Sequence, residues 1–332
     1  MIEFRLLPGR PADWDDRIRQ YDTKTLFHES AWLDHVLDIH PSGRIQYYAL
    51  EQNGEHIGYH CGLLIRKMLL PIHGSPLGGT GTNFMGPLVA RDVDQRELVR
   101  GMSRLLGVNG VLHLELSHFM LDEDILRQEG FSVQPGVTHL LRLNGSVDEA
   151  WSGLRSEARN RVRKAQKNGL VVERTSDPAV VDEFFEQFVE VYGKQGMTVP
   201  FGIERPRSLF HRLLPAGRLL ALRVRHDDVV TAAGLFPYDE RCIYFWGAAS
   251  WLRHHKLCPN EAIQWAVIEF AAQQGIPAYN MCGGTSQFKN KFGGDDVTHN
   301  TYYVSALPVL SWARNRYRAM HFGKLRTRAV SE

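Results

Sequence analysis

Two stretches of the chain alternate apolar and polar positions around a short polar turn. They are ALEQNGEHIGYHCGLL (Ala49 to Leu64) and ALRVRHDDVVTAAGLF (Ala221 to Phe236). Both open on Ala-Leu. Both then pass a turn, Gln52-Asn53-Gly54-Glu55 or Arg225-His226-Asp227-Asp228, and enter an apolar run that ends in Gly-Leu. This pattern predicts a β-hairpin at each place. Downstream, Glu97 to Gly110 has helical periodicity and precedes the strand-like VLHLELS. Glu261 to Gly275 is likewise helical and precedes AYNMC. Val137-Thr138-His139 and Val297-Thr298-His299 then each open a terminal strand. The order hairpin, helix, strand, strand occurs twice, so the chain reads as two copies of one α/β unit. The fold class is mixed α+β, each copy a mixed sheet flanked by helices. The boundary falls near Gly145 to Asp148, giving domains 1–146 and 147–332.

The second helix carries its own end signals. Asn260 is the expected N-cap, and Ala262, Ile263, Ala266, Val267, Phe270 and Ala271 form the apolar stripe. Gly275 stops it, with Pro277 two residues on.

The 332 residues suit two domains, and 43% hydrophobic with 23% charged residues is ordinary globular composition. No apolar run nears the ~18 residues that span a bilayer, and the N-terminus lacks a signal-peptide pattern. Cys61, Cys242, Cys258 and Cys282 show no C-x-x-C spacing. Disulfide and zinc frameworks are therefore not expected, and a cytoplasmic location is. Among the 15 histidines no metal-binding spacing occurs. The net charge of +2 hides two clusters. Arg155, Arg159, Arg161, Arg163, Lys164 and Lys167 face only Glu157. After Trp312 come Arg314, Arg316, Arg318, Lys324, Arg326 and Arg328 against Glu332, in an expected basic C-terminal helix. These are either phosphate-binding surfaces or a solvated face and a ragged end.

One segment is odd. GTSQFKNKFGG (Gly284 to Gly294) alternates Phe288 and Phe292 with Lys289 and Lys291, directly after the strand-like AYNMCG. Together with Trp151-Ser152-Gly153-Leu154 and RSEARNRVRKAQKNGLVVE, it resembles the second domain of Fem-like peptidyltransferases, which are double GNAT-fold proteins. The matching positions in the basic run are Arg159-Asn160, Ala165 and Gly169-Leu170, with one residue fewer between Asn and Ala than in the family. LFHESAWLDHV and Phe84-Met85-Gly86-Pro87-Leu88 resemble family segments in the first half. The resemblance covers nearly the whole chain. It implies two tandem GNAT-like domains and an enzyme that joins an activated acyl group to an amine. Studied family members take aminoacyl groups from aminoacyl-tRNA, whereas ordinary GNAT enzymes use acyl-CoA.

The resemblance implies a role for Lys289, and the residues themselves suggest further candidates. Lys289 is the expected catalytic cation, stabilising charge in the transition state, with Phe288 and Phe292 excluding water around it. Asp296 is a candidate to take the amine proton, or else a polar turn. Lys291, Arg253, Lys256, Asn260, Arg159 and Arg163 are the donor-side candidates. Trp32, His35, Arg205, Arg207 and Tyr244 are the acceptor-side candidates, the two arginines as an anion clamp or as solvent-loop residues beside Pro206. Where some family members carry Lys after the Trp, this chain reads Leu33-Asp34-His35, which puts a nucleotide-linked cell-wall precursor in doubt. CoA-using GNAT domains cradle the pyrophosphate in a glycine-containing loop before a helix. The matching text, WLRHHKLCPNEAIQWA, has no glycine and has Pro259 where an N–H would be needed. That favours aminoacyl-tRNA as donor with no further cofactor. The expected acceptor is a small molecule, a peptide or a cell-envelope precursor.

Two alternatives remain open. One is transfer from acyl-CoA or an acyl-carrier protein to an envelope sugar or small amine. The other is a non-catalytic scaffold that binds nucleic acid or protein. Gly74 to Pro87 is glycine-rich without a P-loop lysine, so it is expected to be a loop lining the interdomain cleft or a plain connection.

Overall fold

The computed structural model describes residues 1–316 apart from 68, 69, 108, 109, 144, 285 and 313. Arg318, Lys324, Arg326 and Arg328 lie outside the described residues. Backbone contacts divide the chain into two compact units, neither of them a continuous half. The first contains 1–24, 40–135 and the chain from 300 on; the second contains 25–39 and 136–299.

The first unit holds an eight-stranded sheet. Its strand order is Ile2–Leu6, Arg44–Gln52, Glu55–Lys67, Leu70–Ser75, His113–Leu116, Thr301–Ser305, Ser132–Gln134, with Leu88–Val89 against the third. The predicted hairpin is there, Gln52 opposite Glu55. Only Leu70–Ser75 and His113–Leu116 run parallel. The first of the two predicted repeat helices runs Gln95–Ser103. It starts earlier than its apolar pattern because the Asp94 carboxylate accepts the Glu97 N–H at 3.0 Å. It stops before Gly110 because Gly107, at φ +82°, turns the chain away.

The second unit has two four-stranded sheets. One is Gly247–Ser250, Val229–Pro237, Leu219–His226 and Val171–Arg174, and it contains the second predicted hairpin. The other is Ile243–Tyr244, Ala278–Gly283, Val137–Arg142 and Asp295–Thr298. Here the repeat has an unexpected outcome. The two Val-Thr-His strands do not close separate copies but pair with each other, Val137 opposite Thr298 and Thr138 opposite Val297. The strand that follows, Thr301–Ser305, lies in the first unit's sheet.

The helix Pro259–Gln273 is the core of the second unit, with Ile263, Val267, Ile268 and Ala271 fully buried. Asn260 is not its N-cap. Pro259 takes the first helical position, where its missing N–H costs nothing, and Cys258 precedes it in the left-handed region at φ +67°. Gly275, also at φ +67°, ends it as expected. The helix packs against Ser156–Lys167, whose buried stripe is Ala158, Val162 and Ala165.

Residues 25–39 join the second unit through specific polar ties. Glu29 pairs with Arg218 at 2.6 Å, Asp38 with Arg212 at 2.8 Å, and the Asp239 carboxylate accepts the Leu26 N–H. A buried aromatic cluster of Phe27, Trp32 and Tyr244 sits beside them, with Phe27 4.7 Å from each of the other two rings.

Candidate active site

The FKNKFGG segment is a helical turn, not the end of a strand. Gln287–Asn290 is helical because Ser286 caps it, its hydroxyl accepting the Lys289 N–H at 3.3 Å. Gly293 and Gly294 follow at φ +86° and +85°. A Cβ on Gly294 would lie 2.6 Å from the Leu140 carbonyl oxygen, so only glycine fits there.

The turn sends its two lysines to different tasks. Lys289 folds back onto the end of the preceding strand. Its ammonium donates to the carbonyls of Cys282 at 2.6 Å, of Gly283, and of Gly284 at 3.1 Å. Cys282 and Gly284 have positive φ, 55° and 73°, so their carbonyls leave the strand direction and converge on one cation. All three ammonium hydrogens are thereby used. Partial burial lowers the Lys289 pKa, while Cys282 and then Asp296 act to raise it. Lys291 is buried instead. It pairs with the Glu261 carboxylate in the first turn of the Pro259 helix and lies 4.4 Å from the Phe288 ring centroid. Phe288 and Phe292 meet edge-on at 5.4 Å and 66°. Phe288 is partly exposed and Phe292 buried, so the phenylalanines flank Lys291 rather than Lys289.

Asp296 has a partner that nothing in the local sequence marks. His139, buried on the neighbouring strand, brings Nδ1 to 2.9 Å from the Asp296 carboxylate and Nε2 to 2.7 Å from the Gly293 carbonyl oxygen. Both partners are acceptors once Asp296 is ionised, so the ring carries two N–H groups or Asp296 supplies a proton. His139 thus links the glycine pair of the turn to the acid beside Lys289. Glu261 was missed in the same way: it is one polar position in a helix, and its partner lies thirty residues further on.

The remaining donor-side candidates are spread over two places. On the basic helix, Arg159 is tied to the carbonyls of Ser152 and Leu154, and Arg163 stacks on Trp151 at 5.4 Å. Arg155, Arg161, Lys164 and Lys167 are exposed. Arg253 stacks on Trp251 at 4.7 Å, and with Lys256 it lies exposed in the 3-10 helix Leu252–Leu257 just before Pro259. Asn260 is half-buried.

On the acceptor side, Trp32, His35 and Tyr244 are all buried, and His35 Nδ1 lies 2.9 Å from the Ser208 hydroxyl. Arg205 and Arg207 are in the first turns of the helix Glu204–Leu213, not in a loop. Two residues apart on a helix, they face different ways. Arg207 pairs with Asp182 at 3.0 Å, while Arg205 stacks on Phe201 at 5.2 Å. They do not form a joint clamp. Among the described residues Arg205 Nε has no hydrogen-bond partner, and burial lowers the pKa of this arginine. Behind Phe292 and Gly294 lies a cavity of about 130 Å³, lined also by Leu141, Glu149 and Ile268.

Residues 152–290, which include the basic helix, the Pro259 helix and Lys289 and end one residue before Lys291, match the protein family described as Acetyltransferase (GNAT) domain. That stretch carries the GNAT-type match, and the chain as a whole has a tandem GNAT-like fold. Its structure is similar to that of FemX, with a TM-score of 0.73 at 14% identity over 90% of this chain and 97% of the other. It is also similar to a tandem GNAT protein from the clavulanic acid biosynthesis pathway, with a TM-score of 0.54 at 12% identity, covering 93% of this chain and 99% of that one. A third likeness is to L-PGS from Bacillus licheniformis, with a TM-score of 0.55 at 12% identity, covering 93% and 98%. At these identities the likenesses bear on the fold. No curated protein sequence matches the chain. Among the described residues no helix is long and apolar enough to cross a membrane.

Proposed function

We propose that the second unit transfers an aminoacyl group from aminoacyl-tRNA to an amine acceptor, forming an amide. The observation that carries this reading is the restricted start of the Pro259 helix, where the N–H groups of Asn260 and Glu261 precede the first helical hydrogen bond, from Ala262 to the Cys258 carbonyl. A CoA pyrophosphate would need free N–H groups there. Pro259 has none, and the Cys258 N–H is bonded to the His255 carbonyl at 3.1 Å. The Glu261 carboxylate already occupies the first turn, held by Lys291. A diphosphate would meet a buried acid beside two backbone N–H groups rather than a full cradle. The exposed cations of the basic helix supply what a long polyanion needs, charge along a surface rather than a pocket.

In the reaction, the neutral acceptor nitrogen bonds to the ester carbonyl carbon. The bond from that carbon to the ribose oxygen breaks, the ribose oxygen takes a proton, and the nitrogen loses one. Lys289 contributes a fixed positive charge, because its hydrogens are committed to carbonyls, and it shapes the turn that faces the reacting carbonyl. Asp296, partly exposed, receives the amine proton, and His139 holds it in place. Arg205 is the acceptor-side cation. Trp32, His35 and Tyr244 form the buried floor behind that side.

Charge reversal at Arg161, Lys164 and Lys167 tests the donor assignment. The expected result is weaker aminoacyl-tRNA binding with a shallower dependence on salt, by about one unit of slope per lost phosphate contact. An unchanged slope would remove the basic helix from the donor site.

A further inference from the structure

In the first unit, the chain after the strand Thr301–Ser305 turns its charged face inward and its apolar face outward. Residues 308–312 and 314–316 are helical. The inward face is polar and anchored. Arg314 pairs with the buried Glu115, its guanidinium 3.9 Å from the Tyr303 ring centroid, and the Ser311 hydroxyl meets the Ser305 hydroxyl at 2.8 Å. Val309, Trp312 and Arg316 follow at i, i+3 and i+7 and so share the opposite face. Val309 is 59% exposed, Trp312 62%, and Leu307, just before the helix, 55%. Arg316 sits over the Trp312 ring at 5.7 Å. Single exposed apolar residues are ordinary, but three within six residues on a helix that buries its arginine are not.

The sequence says what this face meets. From Arg316 to the last residue the chain carries five cations, Arg316, Arg318, Lys324, Arg326 and Arg328, against one acid, Glu332. Two copies of this chain meeting here would set like charge against like charge at Arg316. RNA phosphates would account for the cations and leave Leu307 and Val309 without a role. An anionic lipid surface uses both, since tryptophan and aliphatic side chains enter the headgroup layer while cations meet the lipid phosphates. We propose that Leu307, Val309, Trp312 and Arg316 form a docking face for an anionic membrane surface.

The test is sedimentation of the full chain with vesicles of phosphatidylcholine alone or mixed with phosphatidylglycerol. The expected result is about tenfold or more tighter binding to the anionic vesicles, weakened by salt. Replacing Leu307, Val309 and Trp312 together by Ser should cut that binding by about tenfold or more. Because the three side chains are exposed, the melting temperature should not change. Arg316→Glu should act in the same direction. Three results would overturn the proposal: no sedimentation with anionic vesicles, equal sedimentation of the triple variant, or a triple variant that loses tRNA binding or self-association instead of vesicle binding.

Discussion

The Lys291 ammonium and the Glu261 carboxylate meet as an ion pair in which both side chains are about nine-tenths buried. The pair joins the FKNKFGG turn to the first turn of the Pro259 helix. Removing one partner strands the other charge away from water. Glu261→Ala should therefore cost about 3–5 kcal/mol in urea unfolding. The double variant Glu261→Ala, Lys291→Met should recover much of that loss, since no charge then stays unpaired. A double variant as unstable as the single one would show that the pair is not the source of the effect.

Lys289 is held by three backbone carbonyls at a partly exposed site, so its loss should bear on chemistry more than on stability. Lys289→Ala is expected to slow aminoacyl transfer by about a hundredfold or more while moving the melting temperature by only a few degrees. Lys289→Arg should not restore the rate, because a planar guanidinium cannot reach three converging carbonyls as an ammonium does. Full activity in either variant would make Lys289 a structural prop alone.

The first unit contains its own response to acid. His60 and His73 share a hydrogen bond of 3.1 Å between their Nε2 atoms, and His73 Nδ1 lies 3.0 Å from the Gln46 side-chain oxygen. Burial lowers the His73 pKa from 6.5 to about 4. The folded chain thus binds this proton less readily than the unfolded chain. The resulting stability is present above about pH 6.5 and is lost as pH falls toward 4, by about 3 kcal/mol in all. His73→Gln should flatten that slope in denaturant titrations run at a series of pH values. Glu115 acts lower. Burial raises its pKa, but His113 and Arg314 outweigh this and hold it at about 2. Its contribution is lost only as pH falls from about 4.5 toward 2.

The sequence showed most clearly what local pattern controls. Both hairpins and the Pro259 helix follow from alternation, helical stripe and a terminal glycine. The pairing of the two Val-Thr-His strands did not follow, because two similar strands at the ends of two similar runs look the same whether each closes its own sheet or they pair together. The FKNKFGG turn was hidden by its alternation, which imitates a strand, while the decisive capping residue, Ser286, looks like any polar loop position. Lys289 and Asp296 can be named as candidates from the sequence. Glu261 and His139 cannot be, since each acquires its meaning from a residue distant in the chain. Arg205 and Arg207 read as a clamp in the sequence because Pro206 between them suggests a loop, whereas on a helix residues two apart face different ways.

The proposed donor is aminoacyl-tRNA rather than acyl-CoA. The most direct measurement is binding of fluorescent aminoacyl-tRNA to the purified protein at two salt concentrations, with acetyl-CoA as competitor. The account predicts binding that weakens with salt and that acetyl-CoA does not displace. Absence of tRNA binding, or its displacement by acetyl-CoA, would contradict it and turn attention to Arg253 and Lys256 before the Pro259 helix.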